Sequence, residues 1–424
     1  MSDITKHESP FASKVRDFVR QGYTGPGSKA ESNLTSHPLW KKVTALRSEL
    51  WIDSGDIDAV AGEWTADFSA LTTNNSLLSK EVRKGTYDAL IVEAGRLLNT
   101  VPDLTPQERK LELAFILNVY HALRLVERFD AMVSVEEHTN LGDSVEDAVN
   151  YARRLYAVCP ERFIVKIPFS PAGILATRRA AAEGIPVNHT LGFSARQNYV
   201  ATLIGRPAFV NVFLGRLNSL IADNDLGDGT RVGERAALFS QRALSSLRAE
   251  RAIPTRQIAA SLRSGGQVTD LAGVDIITLP PSVAHEFRML GLQPDDLTDR
   301  VDADYVPAIA TGERHIRAET LWEVGDDLRR CVDALWSEPL DTLTPAELVA
   351  LFQRNQCGDV LVDWTREQVE ISRDEGKIPD LDHWMDLLAR REIGLDSLMN
   401  LAGWNSFAAD QESMDRHVAE ALGG

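Results

Sequence analysis

Short stretches with the composition of buried strands recur along the chain, and a helix-compatible segment follows almost every one of them. There are eight strand candidates, namely residues 50–57, 68–75, 131–137, 162–169, 184–192, 209–217, 256–264 and 273–281. The helical segments between them include residues 80–98, 107–128, 144–158, 171–183, 194–204, 233–249 and 282–290. Such segments join parallel strands. Eight alternating units favour a closed barrel over an open sheet, so we predict an α/β fold of the (β/α)8 TIM-barrel class.

The regions before and after these eight units lack the alternation of strand and helix candidates. Residues 1–49 predict a helical N-terminal extension, with helices near 7–20 and 39–50. The barrel is expected over 50–290, and the polar run in 50–57 makes its first strand the least regular. Residues 291–424 predict a helical C-terminal appendage that packs on the barrel. Its helix-like segments are 317–336, 345–355, 361–373, 381–392 and 406–421. Their five tryptophans read as packing anchors, with a lid or a subunit interface as the alternative.

The amino-acid composition indicates in which cellular compartment the protein is expected. With 44% hydrophobic and 25% charged residues, the chain has the profile of a soluble globular protein, and no apolar run approaches the ~20 residues that cross a bilayer. The N-terminus lacks the basic-then-apolar order of a signal peptide, so we expect a cytoplasmic protein without a membrane partner. The three cysteines are odd in number and far apart, which fits neither a disulfide framework nor a paired metal motif.

The net charge of the chain bears on which binding partners are expected. A formal charge of −17 without a basic run argues against nucleic acid, because such binding needs clustered cations. A phosphorylated substrate would need a few local arginines to act against this repulsive field. The sequence leaves the oligomeric state open, with a homodimer among the options.

One lysine stands out. Lys166 lies inside an apolar, β-branched run that includes Phe163, Ile164, Val165 and Ile167, and such a strand excludes an unpartnered cation. The lysine can be half of a buried ion pair, or reach the barrel mouth with its head group. It can also be an amine nucleophile that forms a Schiff base with a carbonyl, a role for which apolar surroundings help because they disfavour the ammonium form.

Polar residues near the predicted strand ends give the lysine neighbours, because active sites of such barrels lie at the carboxyl ends of the strands. These residues are Asp53, Asn74, Glu136, Asn188, Thr190, Asn211, Ser261 and Arg263, with Phe213 beside them. Strand alternation places Asn188 with Thr190, Asn211 with Phe213 and Ser261 with Arg263 on common faces. Taken singly, most also have structural explanations: Asp53 and Asn74 lie in turn-like or cap-like sequences, and the arginines can form surface ion pairs. His189 is expected to face the helices as a structural histidine.

The ordered set of motifs resembles the transaldolase family. RFIVKIPFSPAGI is similar to its lysine-bearing strand, and GIPVNHTLGFSARQ to its N-x-T-L-x-F-S strand. Further matches are WIDSGDI, LTTNNSL, SVEE, FLGRL, AASLRS, LAGVDIITLPP and, near the C-terminus, FAADQESMD. The resemblance spans residues of about 50–290 and 406–421 in family order. It implies transfer of a dihydroxyacetone unit between sugar phosphates through a lysine Schiff base, in the pentose phosphate pathway and without a metal or organic cofactor.

The resemblance also implies roles for individual residues. It makes Lys166 the nucleophile and Asp53 the acid/base of carbon–carbon cleavage, and Glu136 with Thr190 the holders of the proton-shuttling water. The substrate-binding residues would be Asn74, Asn188, Asn211 and Phe213. The phosphate-binding residues would be Arg216, Ser261 and Arg263.

Two positions bear on the type of reaction. Fructose-6-phosphate aldolases resemble transaldolases but are characterised by glutamine and tyrosine where this chain has Glu136 and Phe213. This difference favours transfer over cleavage, since phenylalanine has no hydroxyl to bring water to the intermediate. Asn75 replaces the usual proline, Asn211 the usual serine, and His189 and Gly192 also depart from the pattern. An aldolase, a transaldolase for a modified sugar and a non-catalytic sugar-phosphate binding protein therefore remain as alternatives.

Overall fold

The computed structural model describes residues 9–310, 316–336 and 339–423. Eight parallel strands form a closed barrel in chain order, and the last strand pairs with the first. The strands are Glu49–Asp53 (β1), Phe68–Thr72 (β2), Met132–Glu136 (β3), Phe163–Pro168 (β4), Val187–Thr190 (β5), Phe209–Phe213 (β6), Arg256–Ala260 (β7) and Ile276–Leu279 (β8). The predicted (β/α)8 fold is confirmed.

Within the described residues, eleven α-helices follow or connect the strands. They are Ile57–Glu63 (α3), Asn75–Arg83 (α4), Asp88–Asn99 (α5), Pro106–Phe129 (α6), Val145–Val158 (α7), Pro171–Ala182 (α8), Ala195–Ile204 (α9), Leu214–Asp223 (α10), Val232–Arg251 (α11), Gly266–Asp270 (α12) and Pro281–Met289 (α13). Two helices precede the barrel, Pro10–Val19 (α1) and Pro38–Ala45 (α2). Five follow it: Asp326–Trp336 (α14), Pro345–Arg354 (α15), Arg366–Glu375 (α16), Leu381–Ala389 (α17) and Leu395–Ala421 (α18). None of these described helices is long and apolar enough to cross a bilayer.

Side-chain alternation divides the barrel interior into two layers. The lower layer is a separate apolar cluster that contains Trp51, Ala70, Ile164, Ile258, Ala260 and Ile276, with Met132 and Phe209 against it. Nearer the carboxyl ends of five strands, the same inward face carries polar residues, namely Asp53, Thr72, Glu136, Lys166 and Asn211. On β3, Ser134 lies between the apolar layer and Glu136. The polar groups therefore lie on an apolar floor, at the carboxyl ends of the strands.

Several predicted boundaries were wrong, because polar residues read as strand ends belong to helix caps. Strand β1 ends at Asp53, and Asp56 instead caps α3 by accepting the N–H groups of Asp58 and Ala59. The single helix predicted over 80–98 is two helices, α4 and α5, separated by a turn in which Gly85 has a φ of 76°. The helix predicted over 406–421 begins at Leu395.

Helix α18 runs across the carboxyl-end face of the barrel. Its first turn is fixed by Asp396, which is fully buried and accepts hydrogen bonds from Arg196 at 2.6 and 2.7 Å and from Ser194 at 2.6 Å. Arg196 also donates to Asp359 at 2.9 Å, which ties in the segment after α15. Further along, Asp410 accepts from Ser76 in α4. Helix α18 thus extends across the barrel mouth from the start of α9, which follows β5, to the start of α4, which follows β2.

Candidate functional site

Lys166 lies within β4 and is 5% exposed. It pairs in register with Glu136 on β3 and with Asn188 on β5. Its Nζ donates to the backbone carbonyl of Thr73 at 2.6 Å, and it forms no ion pair with a carboxylate in the described part of the chain. Of the alternatives that the sequence left open, the geometry does not fit the buried ion pair. A neutral amine can keep this hydrogen bond, because the carbonyl acceptor carries no charge.

Glu136 ends β3 and is buried beside Lys166. Its Oε2 accepts the backbone N–H of Asn75 at 3.0 Å, and its carbonyl accepts from the Asn118 side chain at 2.8 Å. Burial is the largest influence on the Glu136 carboxyl and raises its pKa, and the nearby Asp53 acts in the same direction. Lys166, the Asn75 N–H and Arg216 oppose this rise only in part. The raised pKa makes the protonated form of this carboxyl more accessible, as a group that both donates and accepts a proton requires.

A chain of amides links the neighbouring strands. Asn188 donates to Ser134 at 3.2 Å and accepts from Asn211 Nδ2 at 3.1 Å. Asn211 Oδ1 in turn accepts the N–H of Gly192 at 3.1 Å. The Thr190 hydroxyl is buried and has no hydrogen-bond partner among the described residues. Asn211 therefore orients Asn188, whereas Thr190 has its hydroxyl free for a small polar ligand.

Asp53 and Asn74 are half-buried at the barrel mouth. Asp53 Oδ1 accepts from the Thr72 hydroxyl at 2.7 Å, and Thr72 contacts Thr278 at 2.9 Å. The placement of Asn74 at the end of the second strand was wrong, because β2 ends at Thr72. Asn74 is the N-cap of α4, and its Oδ1 accepts the N–H of Leu77 at 2.9 Å. The capping explanation therefore holds for Asn74, and the cap fixes its side chain at the rim.

The three predicted phosphate-binding residues lie after the strands and not on them. Arg216 is in the first turn of α10, and Ser261 and Arg263 are in the loop after β7, where the backbone of Ser261 has a φ of 66°. The common strand face predicted for Ser261 and Arg263 was therefore wrong. The loop still approaches α10: a Cβ added to Gly215 would lie 2.2 Å from the Ser261 carbonyl oxygen and 3.0 Å from Arg263 Nε.

Arg216 is 8% exposed, and its Nη1 has no hydrogen-bond partner in the described part of the chain. The guanidinium lies 5.9 Å from the ring centroid of Phe213 and 5.3 Å from that of Phe407. Burial, reinforced by the like charge of Arg263, lowers the Arg216 pKa to about 10, while Asp410 and Glu136 act in the opposite direction. A buried cation with an unused donor is suited to receive an anion.

His189 faces away from the barrel interior, as predicted. Its Nδ1 pairs with the Thr177 hydroxyl of α8 at 2.9 Å. Burial lowers its pKa to about 3, so the ring is neutral at physiological pH. The predicted orientation of His189 toward the helices is confirmed, whereas its Nε2 has no hydrogen-bond partner among the described residues.

Sequence reasoning missed several contributors to the site. The Thr73 carbonyl and the Asn75 N–H are backbone groups, and no side-chain pattern marks them. Asn118 lies on α6 among buried residues that include other polar side chains such as His121, so no pattern in the sequence singles it out. Phe407 was within a recognised motif, but its contact with Arg216 needs the tertiary fold.

Comparison with known proteins gives these residues a context. Residues 50–327 match a family described as Transaldolase/Fructose-6-phosphate aldolase. The chain belongs to this family. The match begins at the second residue of β1, covers the other seven strands and the position of every predicted site residue, and ends within α14. The resemblance drawn from the motifs is thereby confirmed, while α15 to α18 lie beyond the matched region.

Individual relatives carry related names. A probable transaldolase of Dictyostelium discoideum is 26% identical over 279 residues, which is 62% of this chain and 86% of the relative. A transaldolase of Chlamydia pneumoniae is 29% identical over 253 residues, or 57% and 74% of the two chains. A probable transaldolase of Thermus thermophilus is 36% identical over 156 residues, which is 36% of this chain and 61% of the relative.

Proposed function

We propose that this member of the family transfers a dihydroxyacetone unit from a ketose phosphate to an aldose phosphate through a Schiff base on Lys166. The observation that carries the proposal is the setting of Lys166. The amine is buried at the mouth of a closed barrel, with Glu136 and Asn188 on the adjoining strands and an uncharged carbonyl as its partner. A carboxylate partner would hold the lysine in an ion pair, whereas a neutral carbonyl partner leaves Nζ placed to attack a carbonyl carbon of the substrate.

Schiff-base formation begins when the Lys166 amine adds to the ketose carbonyl carbon. The resulting carbinolamine then loses its hydroxyl as water, which requires a proton at that oxygen. Glu136, whose pKa is raised by burial, is suited to supply and recover this proton. The unpaired hydroxyl of Thr190 would hold the water through which the proton passes.

Carbon–carbon cleavage follows from the protonated imine, which withdraws electrons from the adjacent bond. Asp53 takes the proton of the substrate hydroxyl, and the carbon–carbon bond breaks. An aldose phosphate leaves, and the electron pair of the broken bond forms an enamine on Lys166. Asn74 and Asn188 would hydrogen-bond the bound three-carbon unit. Addition of the enamine to a second aldehyde reverses these steps, and hydrolysis of the new imine restores the free amine.

The substrate phosphate would bind beside Arg216, with Ser261 and Arg263 as the other contacts. The unused Nη1 of Arg216 supports this role, since a phosphate would supply the hydrogen-bond partner and the countercharge. The proposed substrates are sedoheptulose 7-phosphate with glyceraldehyde 3-phosphate, which give erythrose 4-phosphate and fructose 6-phosphate. This reaction would place the protein in the non-oxidative pentose phosphate pathway.

Transfer is favoured over simple cleavage by the apolar side chain of Phe213. Its half-buried ring packs 5.7 Å from the ring of Phe193 and stacks near Arg216. This surface offers no hydroxyl to deliver water or a proton to the enamine. The intermediate would therefore persist until an aldehyde acceptor binds.

Borohydride trapping tests the Schiff base. The protein is reduced in the presence of fructose 6-phosphate, and its intact mass is measured. We expect a dihydroxyacetone-sized adduct on the wild type and none on Lys166→Met. Lys84→Met is the matched control, because Lys84 is an exposed lysine in ion pairs with Asp56 and Glu81 and should leave the adduct unchanged. No adduct on the wild type, or an undiminished adduct on Lys166→Met, would refute the assignment.

A second measurement separates transfer from cleavage. Consumption of fructose 6-phosphate is followed with and without erythrose 4-phosphate as the acceptor. A transaldolase consumes the ketose at an appreciable rate only when the acceptor is present. Equal rates under both conditions would assign the protein to the aldolase branch of the family, and binding without turnover would indicate a non-catalytic protein.

A further inference from the structure

Asn75 is the first residue of α4, directly after the cap residue Asn74. The first N–H groups of a helix have no partner within the helix. The N–H of Asn75 is used elsewhere, because it donates to Glu136 Oε2 at 3.0 Å. A backbone donor thus points at the carboxylate that faces Lys166.

The side chain of Asn75 strengthens this arrangement. It is 1% exposed and donates through Nδ2 to the carbonyl of Glu137 at 3.1 Å. Its Oδ1 accepts from Asn118 Nδ2 at 3.2 Å, and the same Asn118 amide donates to the carbonyl of Glu136 at 2.8 Å. Asn75 therefore holds the backbone after Glu136 as well as the Glu136 carboxylate.

We propose that Asn75 is a positioning residue of this active site, whose backbone N–H fixes the orientation and the ionisation of Glu136 for proton transfer at the Lys166 Schiff base. This inference rests on the proposed function, because it assigns Asn75 a part in the proton transfers of Glu136. It adds a residue that the motif comparison treats only as a departure from T-T-N-P.

The charges around Glu136 show why an uncharged donor matters. Lys166 from β4 and Arg216 from α10 favour the ionised carboxylate, whereas Asp53 from β1 disfavours it, as does burial. Glu137, the next residue along the chain, is itself buried, and the charge of Glu136 raises its pKa further. The contribution of Lys166 disappears when its amine is neutral for attack. The Asn75 N–H keeps its dipole throughout, so it stabilises the carboxylate at the step where the lysine does not.

Proline at this position removes the donor without breaking the helix. Asn74 has φ −155° and ψ 171°, an extended conformation compatible with a following proline, and the first helical position tolerates proline well. The proline ring carbon would lie along the former N–H direction, toward Glu136 Oε2. The carboxylate must therefore lose its donor and also withdraw. Asn75→Ala removes the same side chain but keeps the N–H, so it is the matched control.

The test measures the rate of borohydride-trappable Schiff base formation from fructose 6-phosphate across pH for the wild type, Asn75→Ala and Asn75→Pro. We expect Asn75→Pro to form the adduct at least ~10-fold more slowly than Asn75→Ala, within the ~10²–10⁴-fold that general acid–base catalysis supplies. Losing the N–H disfavours the ionised carboxylate, so the ascending limb of the pH profile should move to higher pH in Asn75→Pro. In a Glu136→Gln background, the difference between the proline and alanine variants should disappear.

The outcomes separate this inference from the function on which it rests. If the wild type forms no adduct, the proposed function fails. If the wild type forms the adduct and both Asn75 variants share one rate and one pH profile, only the role of Asn75 is refuted. A proline effect that persists in Glu136→Gln would also refute it, because the effect would not act through Glu136. If Asn75→Pro does not fold, residue 75 is replaced by the α-hydroxy acid analogue of alanine, which exchanges only the N–H for an ester oxygen; the ascending limb must then move in the same direction, and an unmoved limb refutes the inference.

Discussion

Arg216→Met is expected to stabilise the protein while it weakens substrate binding. Burial, with the help of Arg263, lowers the Arg216 pKa from its ordinary value to about 10. At about 1.4 kcal/mol for each tenfold change in acidity, the fold disfavours the charged guanidinium by ~3 kcal/mol. Methionine has a similar length and can pack between Phe213 and Phe407, but it gives up the cation–π contacts, which are worth ~1–2 kcal/mol together. We therefore expect the free energy of unfolding to rise by ~1–2 kcal/mol.

The stability contribution of Arg216 depends on pH. A basic group whose pKa is lower in the folded state leaves the unfolded chain with more bound protons between the two pKa values. The contribution of Arg216 to stability is thus unfavourable at neutral pH and is relieved only as the pH rises above about 10, toward the ordinary pKa of an arginine. Arg216→Met removes the unfavourable contribution at all pH values, so the gain should be measurable at pH 7 by equilibrium urea unfolding.

Binding should change in the opposite direction. Loss of a charge-assisted hydrogen bond costs ~1.5–3 kcal/mol, so KM for fructose 6-phosphate should rise ~10-fold to 150-fold, with a smaller effect on unphosphorylated fructose. Arg263→Met is the matched stability control, because it removes the same charge from an exposed side chain and should change stability by at most ~0.5 kcal/mol. If Arg216→Met proved less stable than the wild type, or if Arg263→Met gave the same gain, the argument from burial would be wrong.

Three further predictions concern other parts of the molecule. Phe213→Tyr should raise acceptor-free cleavage of fructose 6-phosphate, measured as glyceraldehyde 3-phosphate release, and no gain would remove the sixth-strand argument. Asp396→Ala should lower the free energy of unfolding by ~3–5 kcal/mol, because the buried guanidinium of Arg196 loses a carboxylate to which it donates hydrogen bonds. Glu370→Ala, which breaks an exposed ion pair, is the control and should lower the free energy of unfolding by ~0.5 kcal/mol or less. Equal losses for Asp396→Ala and Glu370→Ala would contradict the expected effect of burial. Burial tends to raise the Asp359 pKa, but Arg196 outweighs it and the pKa is lowered. Stability from this carboxylate should therefore be present at neutral pH and fall away below pH ~4, a loss absent in Asp359→Asn when unfolding is followed from pH 6 to 3.

The fold was predictable because strand count and connection type are visible in local composition. Each strand carries a short β-branched or aromatic core, and a helix-compatible segment of suitable length follows. The strand ends were less predictable, since cap residues such as Asp56 and Asn74 are polar in the same way as active-site residues. Only the hydrogen bonds to the following N–H groups distinguish a cap from a strand end.

The site was predictable where it depends on strand alternation. Lys166, Glu136, Asn188 and Asn211 follow from a period of two on parallel strands, and the structure brings them together. Contacts that join distant segments could not be read in this way. The bond from the Asn75 N–H to Glu136 depends on where a helix begins, and its donor is common to every residue except proline.

The cations of the site stand in contrast to the charge of the whole chain. A protein with a net charge of −17 repels a sugar phosphate at long range, but salt screens that field within about 10 Å. At the barrel mouth, Lys166 donates to a carbonyl and Arg216 lies against two aromatic rings, and neither basic side chain forms an ion pair in the described part of the chain. Helix α18 contributes to this state, since Phe407 covers the guanidinium and Asp396 anchors the helix on the barrel. If a substrate phosphate supplies the missing countercharge, the free-energy cost of burying Arg216 is recovered only when substrate binds. The charge that destabilises the free protein therefore favours binding of the phosphorylated substrate over its neutral analogue.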